Sequence, residues 1–289
     1  MSKADQVFIN MCRDILEHGD SSEGQDVRAV WSDGMPAHTI KRFGVVNRYD
    51  LSEEFPALTL RPVPFGICVD ELLWIWQRKS NRIRDLASRI WDSWADADGT
   101  IGKAYGYQLG VKYDFGKGRV MDQVDNVLWQ LKHTPYSRRI MTNLYNFADL
   151  AEMGLEPCAY SMTFNVTEAP GGNSIGGKSR GRLNAILNQR SQDVLAANAW
   201  NVCQYAVLVH MIAQVSGLDA GEFVHVIADA HVYDRHIPII EALIERPPHP
   251  APRLWIDDSV TDFYDFTSEC IKLEGYETGA QIKGIPIAI

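Results

Sequence analysis

Two short stretches hold the residues with the clearest chemical capacity, Pro157-Cys158 and Gln189-Arg190-Ser191. A thiol attacks an electrophile only as its thiolate, and a neighbouring guanidinium favours that anion. The same guanidinium can grip a phosphate through two parallel hydrogen bonds. Cys158 is therefore the candidate nucleophile and Arg190 the candidate cation beside it. One arginine serving thiolate and phosphate suggests an enzyme that attacks a nucleotide. A lone cysteine is more often an inert core residue, so the pairing carries the expectation. Glu71 is the second candidate, because it interrupts the strongly apolar segment Cys68–Gln77. A carboxylate buried there must be paired, protonated or functional.

The elements that must position these groups follow from spacing. Val7, Phe8, Met11, Ile15 and Leu16 recur at helical intervals and predict a packed helix over 4–18. Residues 68–77 and 121–132 read as two further helices, and 201–215, apolar on nearly every side, as a buried one ending at Gly217. Strands are expected over 39–46, 139–145, 159–167, 182–191 and 223–228, with a closing pair at 253–256 and 271–273. Residues 169–180, rich in glycine and serine, read as a flexible hairpin loop. A short helix is expected over 234–245. Strand clusters beside unpaired helices indicate an α+β fold rather than a βαβ alternation.

Composition sets the bounds. The chain has 289 residues, 46% of them hydrophobic, and a net charge of −9. No linker divides it, so one domain over 1–289 is expected. The negative charge disfavours a general nucleic-acid binder. Five widely spaced cysteines without a CxxC argue against a disulfide framework or a zinc site. The N-terminus does not read as a signal peptide, and no apolar run approaches the ~18 residues of a membrane span. A soluble, cytoplasmic protein is expected.

With these residues in view, the chain resembles the folate-dependent thymidylate synthase family. The resemblance is carried by Asp70-Glu71-Leu72-Leu73-Trp74, Ile90-Trp91-Asp92-Ser93-Trp94, Ala104-Tyr105-Gly106, Pro135-Tyr136-Ser137-Arg138-Arg139, Glu156-Pro157-Cys158-Ala159, Asn188-Gln189-Arg190-Ser191-Gln192-Asp193, Asn201 and Asp229-Ala230-His231-Val232-Tyr233. These motifs run in the family's order from about Asp26 to the C-terminus. The resemblance implies a homodimer joined through a curved mixed β-sheet, with helices on the other side. It implies reductive methylation of dUMP by 5,10-methylenetetrahydrofolate, which donates both carbon and hydride, so that no metal or flavin is needed.

The resemblance also implies roles. Cys158 would add to C6 of the uracil. Arg190, Ser191 and Arg28 would bind the phosphate, joined by Arg138 and Arg139 reaching across from the partner subunit. Gln189 would bind the dUMP, and Asn201 would face the base, matching the O4 and N3 edge as an amide can. His231 and Tyr233, two apart on an extended segment, would hold the ribose 3′-OH. Glu71 would organise a water network that moves protons, and Tyr105 would help remove the C5 proton. Asp193 would touch the nucleotide and the pterin. Ile90, Trp91, Trp94, Leu155 and Trp200 would wall the folate, and Ile287-Ala288-Ile289 would close over it as a lid.

Several residues depart from the family's usual pattern. Ala159 stands where His is frequent, Arg61 where Lys is usual near the folate's glutamate tail, Ala197 and Ala228 where Gly is common, and Trp200 where a smaller Phe is usual. They leave open a neighbouring activity, a pyrimidine nucleotide hydroxymethylase in which water captures the transferred carbon before hydride. A non-catalytic nucleotide binder and a cysteine hydrolase using His231 or His236 are remoter alternatives.

Overall fold

The computed structural model describes residues 2–168, 174–175, 178–179 and 181–288. Helix α1 (Lys3–His18) starts where the Ser2 side chain accepts from Asp5 N at 3.1 Å, a hydroxyl satisfying an otherwise orphan donor. The buried Asp5 carboxylate accepts from Thr59 N and Oγ1 at 2.7 and 2.5 Å. Short strand β1 (Asp20–Ser21) then pairs with the long strand β2 (Thr39–Asp50). Helix α2 (Phe65–Trp76) carries Glu71, and the one-turn-scale helix α3 (Gly106–Gly110) follows Tyr105. The small hairpin β3 (Tyr113–Asp114) and β4 (Val120–Met121) leads into α4 (Gln123–His133), capped by Asp122.

Strand β5 (Met141–Asn143) is shorter than the 139–145 expected, and β6 (Ala159–Glu168) begins just after Cys158. The segment 169–180 lies mostly outside the described residues, and of it β7 (Ser174–Ile175) and β8 (Lys178–Ser179) pair antiparallel. Strand β9 (Gly181–Gln189) ends just before Arg190, and β10 (Gln192–Asp193) follows at once. Helix α5 (Asn198–Val215) has almost no polar face and is buried along its length. Strand β11 (Asp219–Tyr233) runs far beyond the 223–228 expected. A 3-10 turn at Asp234–His236 precedes α6 (Ile237–Ile244), and β12 (Arg253–Ile256) pairs with β13 (Ile271–Glu274).

The main sheet has the order β1-β2-β11-β9-β6-β5, with β10 beside β11. β9 is antiparallel to β6 but parallel to β11, with α5 as the crossover. The fold is α+β, as expected, yet it contains this one parallel crossover. Leu183, Ala185 and Leu187 of β9 and Met162, Phe164 and Val166 of β6 are buried, while Ile186 opposes Thr163 on the other face. That alternation sends one face into a contiguous core with α1, α2 and α5. The opposite face leaves Val46 52% and Ile186 39% exposed.

Tyr105 adopts φ 45° and ψ −104°, a backbone region that costs a non-glycine residue energy. Gly106, the next residue, packs closely against the backbone of Lys79 and Ser80 in the loop after α2. A Cβ on Gly106 would stand 2.4 Å from Ser80 O and 2.9 Å from backbone atoms of Lys79 and Ser80. G106A should therefore lower Tm by ~5 °C or more, measured by calorimetry. An unchanged Tm would contradict that packing.

Candidate active site

Sheet direction gathers the predicted residues. Because β6 runs against β9, the start of β6 lies beside the end of β9, and Arg190 N donates to Cys158 O at 2.9 Å. Because β11 runs with β9, its later half lies at the same end. There Asp193 of β10 is in register with His231 of β11. Cys158, Arg190, Asp193, His231 and Tyr233 thus share one end of the sheet.

Cys158 is half-buried, and its backbone N–H donates to the Tyr105 hydroxyl at 3.2 Å. The Tyr105 ring is buried, and burial holds its phenol protonated. The thiol differs from the expectation. Burial pushes its pKa up, Arg190 and Arg28 pull it down, and Glu156 pushes it up again, leaving a net rise. The cause is geometric. The Arg190 guanidinium donates to Pro157 O at 3.2 Å and Glu156 O at 2.8 Å, so two of its five N–H donors are turned to the backbone rather than to the sulfur. It lies close enough to influence the sulfur without bonding to it.

Glu71 is 6% exposed and meets no cation among the described residues. Trp91 Nε1 donates to Oε1 at 2.5 Å, while Trp200 Nε1 and Gln204 Nε2 each donate to Oε2 at 2.6 Å. Burial raises the carboxyl's pKa, and these three donors oppose the rise without cancelling it. Trp91 also meets Tyr105 edge-on at 5.1 Å and Trp94 at 5.5 Å. Trp94, Leu155 and Trp200 pack on the core margin, and Ile90 is 37% exposed.

Gln189 is buried between His225, whose Nε2 bonds its Oε1, and Asn201, whose Oδ1 accepts from Gln189 Nε2 at 3.4 Å. Burial lowers the His225 pKa to about 3, so the ring is neutral. Asn201 lies in the first turn of α5 with its amide nitrogen free of that bond. His231 Nδ1 bonds Asp229 Oδ1 at 2.8 Å, and its ring meets Tyr233 at 5.1 Å. Asp193 accepts from Ala196 N at 3.0 Å and faces the buried His236 at 3.6 Å. The other His236 nitrogen bonds Pro286 O at 2.7 Å, which ties the chain end carrying Ala288 to the Asp193 side. Ile289 lies outside the described residues.

Some residues do not converge within one chain. Arg138 and Arg139 are exposed, and neither forms an ion pair among the described residues. Arg28 is exposed on its loop, near enough to act on Cys158 and Tyr233 electrostatically. Ser191 is half-buried between Arg190 and β10. Arg61 turns inward onto Leu195 O, and its Nε has no partner among the described residues. Ala197 sits just before α5, where its carbonyl accepts from Asn201 N at 2.9 Å, and Ala228 is half-buried on β11. Reading the sequence missed Gln204, His225 and Asp229, and it treated the tryptophans as apolar wall rather than donors. Gln204 carried a usable signal, an amide in the apolar middle of a buried helix.

The comparisons decide the family. A model of the family described as thymidylate synthase matches residues 6–288. The chain belongs to the thymidylate synthase family. It is 43% identical over 286 residues to Thymidylate synthase 1 of Bacillus subtilis (strain 168), covering 98% of each chain. The thymidylate synthase of Bacillus phage phi3T matches at the same identity and coverage. The solved structure of thermostable thymidylate synthase A from Bacillus subtilis superposes with a TM-score of 0.91 at 42% identity, covering 100% of both chains. As a thymidylate synthase family member the protein is a folate-dependent methyltransferase, and the matches do not favour the hydroxymethylating alternative. No helix among the described residues is long and apolar enough to cross a membrane.

Removing the Arg190 charge removes the first counterweight to burial at Cys158. In R190Q, iodoacetamide labelling of Cys158 at neutral pH, followed by peptide mass spectrometry, should slow about tenfold. The rate profile should move to higher pH. An unchanged profile would separate Arg190 from the thiol.

Proposed function

We propose that these residues carry out reductive methylation of dUMP to dTMP as a cytoplasmic homodimer. The observation that supports it most is the junction of Cys158, just before β6, with Arg190, just after β9, beside the polar side chains of Asp193, His231 and Tyr233. 5,10-Methylenetetrahydrofolate supplies the carbon and the hydride and leaves as dihydrofolate. No metal or flavin takes part in this reading.

Cys158 gives up its proton to water and its sulfur adds to C6 of the uracil, which makes C5 nucleophilic. After carbon transfer and loss of the C5 proton, hydride reaches the exocyclic methylene and the C6–S bond breaks, returning the thiolate. A bound phosphate dianion changes the electrostatics near the thiol, and the guanidiniums of Arg190 and Arg28 hold that dianion with Ser191. Arg138 and Arg139 join from the other subunit. Their exposure and lack of ion pairs suit that role, and the open sheet face with Val46 and Ile186 suits a subunit contact.

Asn201, fixed by Gln189, donates its amide N–H to O4 and accepts from N3–H. His231 and Tyr233 bind the 3′-OH. Glu71 exchanges a proton with water near the base, and the Tyr105 hydroxyl holds a water for the C5 proton. Asp193 accepts from the pterin, with Ile90, Trp91, Trp94, Leu155 and Trp200 as its wall. The chain end, including Ala288, closes to exclude water before hydride transfer.

Mixing the protein with dUMP and methylenetetrahydrofolate should yield dihydrofolate and a nucleotide heavier by one CH2, read by mass spectrometry. A hydroxymethyl product, or turnover without dihydrofolate, would contradict the proposal. C158S should lower kcat about ten-thousandfold. N201D presents acceptors to a cytosine amino group, so the ratio of kcat/KM for dUMP to that for dCMP should fall by about a hundredfold. An unchanged ratio would remove Asn201 from base recognition.

A further inference from the structure

The donors around Glu71 distinguish its two oxygens. A carboxylate offers about four acceptor positions, two on each oxygen. Oε2 already accepts two hydrogen bonds, from Trp200 Nε1 and Gln204 Nε2. Oε1 accepts one, from Trp91 Nε1, among the described residues. The open position is therefore on Oε1. That oxygen shares Trp91 with Tyr105, whose hydroxyl accepts from the Cys158 backbone. The saturated oxygen faces α5.

We propose that Trp200 is a positioning residue for methyl transfer: together with Gln204 its indole N–H fills Oε2, so that Glu71 gives and takes its proton through Oε1 alone. The proposal rests on the proton-transfer role assigned to Glu71 above. An indole N–H is a donor and never an acceptor, so Trp200 cannot compete for the proton. Its place is fixed, because Cys68 Sγ meets Trp200 O at 3.5 Å and the ring packs on the core margin. A phenylalanine here would occupy similar space without a donor. Oε2 would regain an acceptor position on the α5 side, and a proton settling there would be lost to the substrate. Loss of the donor would also disfavour the ionised carboxylate.

Two replacements separate this role from a wall against folate. W200F removes the donor and some volume. Site-specific replacement of Trp200 by 3-benzothienylalanine keeps the bicyclic shape and puts sulfur where the N–H was. In both, kcat should fall about tenfold. The limb of the pH–kcat profile that E71Q abolishes should move to higher pH, because a contact favouring the charged form is gone. In the benzothienyl variant the folate KM should stay within about twofold of the parent. A benzothienyl variant with the parent's kcat and pH profile, or with only its folate KM changed, would overturn the proposal.

A readout without turnover separates the proposal from the reading beneath it. In 15N-tryptophan-labelled protein, the Nε1–H signals of Trp91 and Trp200 should titrate with one common midpoint and stop titrating in E71Q. If E71Q is inactive but the Trp200 signal ignores the substitution, the proposal fails and the role of Glu71 stands. If E71Q turns over like the parent, the role of Glu71 fails and the proposal falls with it.

Discussion

Strand β9 pairs antiparallel with β6 on one side and parallel with β11 on the other, and the site depends on that combination. Antiparallel pairing brings the residue before β6 to the residue after β9, which joins Cys158 to Arg190. Parallel pairing through α5 brings Asp229, His231 and Tyr233 to the same end. A one-residue slip in either register would turn Gln189 or His231 to the other face. The same α5 crossover places Asn201 in its first turn, beneath the end of β9, where Gln189 bonds it. The positions of Cys158, Asn201, His231 and Tyr233 are thus set by strand direction more than by any loop.

The polar groups below this end are held without ion pairs. Glu71 is surrounded by two indoles and an amide, and His225 is kept neutral by burial while it orients Gln189. Donors of this kind fix geometry while leaving a carboxyl able to change its charge, which a lysine or arginine partner would resist. Cys158 follows similar logic. Its guanidinium neighbour turns two donors to the backbone, and burial raises the thiol's pKa more than the arginines lower it.

Much of this was legible in the chain. The helices α1 and α4 followed from periodicity, α2 and α5 from their apolar composition, and β6 and β9 from alternation between flanking loops. Strand β11 was read too short because Asp229 and His231 interrupt its apolar run, and those polar residues belong to the site rather than to a loop. Its parallel pairing could not be seen, since register between distant strands leaves no local pattern. Cys158, Arg190 and Glu71 were singled out because each residue type is costly or unusual in its surroundings, whereas Asn201 and His231 were expected from the family resemblance. Trp91 and Trp200 were recognised as bulk and missed as donors, because a sequence shows an indole's size but not the direction of its N–H. The burial that raises the thiol's pKa was not legible either, since charge proximity shows in motifs while burial does not.

The most direct measurement is a trap: the protein incubated with 5-fluoro-dUMP and methylenetetrahydrofolate, digested, and mapped by mass spectrometry. The account predicts one stable adduct carrying nucleotide and folate together on the peptide that contains Cys158. An adduct on another cysteine, or none at all on folded protein, would contradict it.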